Sequence, residues 1–141
     1  MKFNEQVTVE NYIIKFIKDK LGFEYIKPEE FAKLRDLETE YIITPLLERA
    51  ISALNPTANE SEIKNVIREV RKIDNNEAFL KALRDGINLK NSTTGKKHDY
   101  KLLDFDNPEN NQFVVTNQFY FEGDTENIRP DILIFVNGLP L

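Results

Sequence analysis

At Gly86 the hydrophobic pattern changes period, and no other feature of the chain restricts its fold as strongly. Before it, apolar residues recur at intervals of three and four, the spacing of helices with one buried face. After it, short runs of branched and aromatic residues are broken by turn-forming ones, the pattern of strands. Helices first and strands second, in 141 residues, predict an α+β fold with helices packed on a mixed β-sheet. The length is that of a single domain, residues 1–141. Hydrophobic types at 40% can supply its core, and no apolar run approaches the roughly 20 residues that span a bilayer.

In the helical half, Val9, Tyr12, Ile13, Phe16, Ile17 and Leu21 form one stripe, with Thr8 placed to cap it and Gly22 to end it. Phe23–Ile26 reads as a short strand, and Pro28 as a first helical position before Phe31 and Leu34. A stripe from Ile42 to Leu54 is interrupted by Pro45, which predicts a kink or a restart capped by Thr44. The clearest helix is Glu60–Ile73, where Asn59 and Glu62 stand in capping-box relation. Glu77–Asp85 turns Phe79, Leu80 and Leu83 inward and stops at Gly86.

In the second half, strands are expected at Ile87–Leu89, Tyr100–Leu103, Phe113–Glu122 and Asp131–Val136. Turns separate them at Asn91–Gly95, Asp104–Asn111 and Gly123–Pro130. Ile132–Val136 is apolar on both faces, so it should lie covered inside the sheet. Asn137-Gly138 then signals a hairpin, because both turn residues need positive φ. Only Leu139-Pro140-Leu141 follow, against about 5–6 residues in an ordinary strand. The pattern therefore predicts a fragment of a longer protein; a native terminus that curls back is the alternative. Removal of the second arm would leave the apolar edge of Asp131–Val136 unpaired, which predicts self-association of the fragment through residues 131–141.

Nineteen basic residues against 24 acidic ones leave a net charge of −5, which argues against a free-standing DNA-coating module. The absence of cysteine excludes disulfides, thiolate zinc sites and a cysteine nucleophile. With no signal-peptide pattern at Met1-Lys2-Phe3, a reducing, cytoplasmic setting without a membrane is the expectation.

Most candidate chemistry reduces to ordinary roles. His98, the single histidine, sits among Lys96, Lys97 and Asp99 in what reads as a polar loop, with no serine relay beside it. Asp104-Phe105-Asp106-Asn107 looks faintly like a calcium loop, but it lacks the required glycine and residue 108 is proline, so it reads as a turn. The glycines are scattered and form no phosphate-cradling loop. Glu10 opens the first helix, where the helix dipole favours an anion. The strongest candidate is Asp131 in Arg129-Pro130-Asp131, because an acid at the start of an apolar strand is costly unless hydrogen-bonded, paired or metal-bound. Capping of the preceding turn or pairing with Arg129 would satisfy it. So would a hard cation such as magnesium, which favours carboxylates and phosphate oxygens.

Two blocks carry a resemblance. Residues 102–119, from Leu102-Leu103-Asp104 to Asn117-Gln118-Phe119, and residues 129–141, from Arg129-Pro130-Asp131 to Leu139-Pro140-Leu141, resemble the N-terminal domain of type I restriction enzyme R subunits. Weaker echoes are Leu21-Gly22-Phe23-Glu24-Tyr25, Leu54-Asn55-Pro56 and Leu83-Arg84-Asp85-Gly86. The resemblance implies a PD-(D/E)xK restriction-endonuclease-like core, truncated after its second core strand. Asp131 would be the first metal-binding acid, and a following strand with Glu-x-Lys would complete the site. Glu10 would match a glutamate that many members supply from the first helix. The implied cofactor is Mg2+, and ATP would enter only through downstream motor domains. The implied partners are double-stranded DNA and the modification and specificity subunits. The chain ends before Glu-x-Lys, so it is expected to be an endonuclease fragment that is inactive alone. The alternative is a non-catalytic docking module of a larger assembly.

Overall fold

The computed structural model describes residues 5–34, 41–117, 121–122, 127–128 and 132–141, with the backbone alone for 5–10, 121–122 and 127–128. The architecture is α+β, and two compact units make it up: Met1–Ile43 with Gln112–Leu141, and Thr44–Asn111.

The first unit is built on a mixed four-stranded sheet. β1 (Glu24–Tyr25) runs parallel to β4 (Phe113–Asn117), and β4 pairs antiparallel with β7 (Ile132–Val136). β8 (Leu139–Pro140) closes the order β1-β4-β7-β8. Strand pleating sends alternate residues to opposite faces. On one face α1 (Glu5–Leu21) seats Ile14 and Ile17 on Val115, with Phe23, Tyr25, Ile132 and Ile134 packed around them. On the other face lie Val114 and its cross-strand partner Phe135, whose ring centroid is 5.0 Å from that of Phe31 in α2 (Pro28–Lys33).

The terminal hairpin forms with the expected turn. Asn137 and Gly138 have φ of 53° and 80°, and Phe135 and Val136 face Pro140 and Leu139. Leu141 extends the ladder by donating its N–H to the Ile134 carbonyl at 3.0 Å. The edge of β7 is therefore paired along its C-terminal part, which corrects the expectation of an arm missing altogether. Asn137 is also buried, and its Oδ1 accepts from the Gln112 N–H at 2.8 Å, a second use of the turn residue.

The second unit holds α3 (Thr44–Leu54), α4 (Glu60–Arg71), α5 (Asn76–Asp85) and the hairpin of β2 (Ile87–Lys90) with β3 (Lys97–Tyr100). α3 starts at Thr44, so Ile42 and Ile43 of the expected stripe are not helical, and Thr44 is the first helical residue and not the cap. The helix packs Leu46, Leu47 and Ile51 beside Ile63, Val66, Ile67 and Val70 of α4. Asn55 closes α3. Its buried amide bonds both backbone groups of Lys101, donating to the carbonyl at 2.9 Å and accepting from the N–H at 2.8 Å.

Several expectations are corrected. α1 starts at Glu5, so Thr8 lies inside the helix and does not cap it. The Ile14–Ile17 pair faces the sheet, leaving Tyr12 72% and Phe16 49% exposed, because one helix on a narrow sheet needs only two contact positions per two turns. Leu80 is 64% exposed for a similar reason, as Ala82 and Leu83 fill the buried side of α5. β3 begins at Lys97, three residues before the expected Tyr100. Glu122 lies outside β4, in β5 (Phe121–Glu122), which pairs with β6 (Asn127–Ile128) inside the segment read as a turn. No helix among the described residues is long and apolar enough to cross a membrane.

Candidate functional site

β4 ends where β7 begins. Asn117 is the cross-strand partner of Ile132, the residue that follows Asp131 in sequence. By the pleat, Asn117, Ile132, Ile134 and Val115 share the face on which α1 packs. The Tyr25 hydroxyl donates to Asn117 Oδ1 at 2.6 Å, tying β1 to the end of β4. Glu10 lies on α1 one turn before Ile14, so the helix places its backbone on the element covering that face.

Of the residues singled out from the sequence, Arg129, Pro130 and Asp131 lie outside the described residues, and of Glu10 only the backbone is described. Among the described residues no three of His, Asp and Glu come together to hold a metal ion. Thr116, beside Asn117, is fully buried, and its hydroxyl finds no hydrogen-bond partner among the described residues.

The other marked residues are structural. His98 sits on β3 and not in a loop, exposed, with its ring edge-on to Tyr100 at 4.7 Å. Asp104 organises its own turn by accepting from the Asp106 and Asn107 N–H groups at 3.1 and 3.0 Å and from Asn110 Nδ2 at 3.0 Å. These donors, Asn110 foremost, hold its carboxyl below the usual carboxylate range.

Sequence reasoning reached only half of the role of Glu62. The capping box forms: Asn59 Oδ1 accepts from the Glu62 N–H at 2.8 Å and Glu62 Oε1 accepts from the Asn59 N–H at 3.5 Å. The same carboxylate, 3% exposed, also accepts from the Tyr100 hydroxyl, from Asn91 Nδ2 at 2.9 Å and from Ser92 Oγ at 3.2 Å. One acid thus joins the start of α4 to the β2–β3 hairpin. The Tyr100 bond, chiefly, holds its pKa below the ordinary 4.5 against the opposing effect of burial. Burial, and then the bond to Glu62, push the Tyr100 hydroxyl above its ordinary 10.0. Folded Glu62 therefore binds its proton less tightly than unfolded Glu62, and its contribution is complete above pH 4.5 and drains as pH falls through the lowered value. Glu62→Gln is expected to cost about 1–3 kcal/mol at neutral pH. The variant should lose less stability on acidification than the wild type, as read from thermal midpoints between neutral and acidic buffers.

Comparison with known proteins now gives the frame for these elements. Residues 2–141 match the family described as type I restriction enzyme R protein N terminus. The chain belongs to that family. Over 99% of its length it is 33% identical to a Methanocaldococcus jannaschii protein named the MjaIXP endonuclease subunit of a type I restriction enzyme. Over 86% of its length it is 34% identical to the type I restriction enzyme HindI endonuclease subunit of Haemophilus influenzae. The chain spans 15% and 13% of the lengths of these two relatives.

Proposed function

We propose that this R-subunit N-terminal domain bears one half of a metal-dependent nuclease centre of the PD-(D/E)xK kind, acting on double-stranded DNA. The observation that carries the reading is the register of the terminal hairpin. Phe135 and Val136 face Pro140 and Leu139, so a ladder continued past Leu141 would set the next two residues opposite Leu133 and Ile132. Ile132 is the first residue of β7 and the one after Asp131 in sequence. A second acid and a lysine on that arm would then lie beside the start of β7. An α1 that covers the face of Ile132 is also where a contributing Glu10 would be expected.

Asp131 would be a magnesium ligand, with Glu10 and the following Glu-x-Lys completing the set. Bound there, magnesium would polarise the scissile phosphate and lower the pKa of the attacking water. This chain would contribute the carboxylate that immediately precedes β7 in sequence, and the β4–β7 ladder holds the strand that follows it. ATP-driven steps belong to other domains of the subunit, and the modification and specificity subunits are the expected partners.

An R subunit carrying this domain, with its partner subunits and ATP, should cut plasmid DNA in magnesium and not in EDTA. The isolated 141-residue chain should leave the plasmid intact. Cutting in EDTA would overturn the metal-dependent reading, and magnesium-dependent nicking by the isolated chain would show that the continued arm is not required. The second reading, docking without catalysis, is favoured by the apolar surface that α1 leaves exposed at Tyr12 and Phe16. It predicts no cleavage by the subunit at all.

A further inference from the structure

The Tyr25–Asn117 pair stands at the Ile132 end of the β4–β7 ladder. A separation of 2.6 Å suits O–H···O and is short for N–H···O, so the Tyr25 hydroxyl meets the oxygen of the Asn117 amide. That bond fixes which way the amide points, because an unanchored Asn can turn its oxygen and nitrogen about. The Asn117 Nδ2 group is left with two N–H donors, and no partner for it is found among the described residues. Asn117 is half-buried, on the α1 face, across from Ile132. It ends β4, within residues 102–119, the block whose resemblance to R subunits the nuclease reading leaves unused.

We infer that Asn117, oriented by Tyr25, donates a hydrogen bond from Nδ2 to a phosphate oxygen of the bound DNA backbone. An uncharged donor fixed at the strand end can set the register of a phosphate without adding positive charge. It fits a chain of net charge −5, in which general attraction to DNA is weak. The inference rests on the nuclease reading for its ligand and assigns Tyr25 as a positioning residue.

The two ends of the amide can be separated by substitution. Asn117→Asp keeps an oxygen for the Tyr25 hydroxyl but replaces the donor with an anion. Asn117→Ala removes both. In an R subunit carrying this domain, with its partners and with calcium replacing magnesium, affinity is read on a fluorescein-labelled duplex. Asn117→Ala should weaken binding about fivefold to tenfold, the worth of one neutral hydrogen bond. Asn117→Asp should weaken it further while leaving the thermal midpoint of the domain unchanged. Tyr25→Phe should weaken binding less than Asn117→Ala, and the double variant should match Asn117→Ala, since both act through one amide.

Wild-type affinity in Asn117→Asp would overturn the inference. So would losses in binding that track losses in thermal midpoint across the series, the behaviour of a purely structural pair. Asp131→Ala, run alongside, separates the two claims. If it abolishes cleavage while Asn117→Asp binds normally, the phosphate contact fails and the nuclease reading stands. If Asp131→Ala cuts like wild type while the Asn117 series loses affinity, the contact stands and the assignment of Asp131 fails.

Discussion

Asp131→Ala in an R subunit carrying this domain is expected to reduce DNA cleavage about a thousandfold while leaving ATP hydrolysis at the wild-type rate. Loss of a metal ligand removes several kcal/mol of transition-state stabilisation, and each 1.4 kcal/mol is about tenfold in rate. ATP hydrolysis should survive because this chain has no phosphate-cradling loop and its five glycines are scattered. Asp131→Asn sharpens the test. Asparagine replaces aspartate well as a local cap, so a residue that only closed a turn would tolerate it. A metal ligand would not, because the charge is what holds a hard cation. Cleavage and ATPase rates measured on the same preparations decide between these readings.

The largest effect on stability is expected at Gly86. Its backbone has φ 81° and ψ −175°, a region that is essentially closed to residues with a Cβ. A Cβ there would stand 2.5 Å from the carbonyl oxygen of Tyr100 and 3.0 Å from its carbonyl carbon. These are backbone atoms of β3, pinned by the ladder between Ile87 and Tyr100, so neither side can yield cheaply. Gly86→Ala therefore combines strain with a clash and should cost at least about 3 kcal/mol, measured by denaturant unfolding. The damage should fall on the second unit, since Tyr100 also carries the hydroxyl that Glu62 accepts. A variant that unfolds at the wild-type midpoint would show that this approach of Gly86 to Tyr100 is not needed.

How much of this was legible in the sequence depended on the range of the interaction. Several local signals read well: the capping box of Asn59 and Glu62, the helix stop at Gly86 and the positive φ at Asn137-Gly138 all form, whereas Thr8 and Thr44 lie inside their helices and do not cap them. Periodicity placed α1 but not its orientation. The stripe from Tyr12 to Leu21 and the pair Ile14–Ile17 are both helical patterns, and the choice is made by a sheet surface that arrives about a hundred residues later in Val115. The same holds for the polar partners. Glu62 and Tyr100, or Tyr25 and Asn117, meet across 38 and 92 residues, and no short-range rule links them.

The candidate site divides in the same way. Pro130-Asp131 before an apolar strand was visible as an unusual placement of an acid, and the strand from Ile132 forms at the centre of the sheet. Asn117 was not singled out, because asparagine at the end of a strand is a common turn signal. Its significance appears only when the register sets it opposite Ile132 and the Tyr25 hydroxyl is found on its oxygen.

The central claim is that the Asp131 carboxylate binds the metal on which cleavage depends. A change of ligand softness tests it most directly, and this domain brings no cysteine of its own to compete for the soft ion. In an Asp131→Cys subunit the thiolate is a poor ligand for magnesium and a good one for a soft ion such as cadmium. The account predicts no cutting by Asp131→Cys in magnesium and a partial return of cutting in cadmium. Cutting by Asp131→Cys in magnesium at the wild-type rate would contradict it.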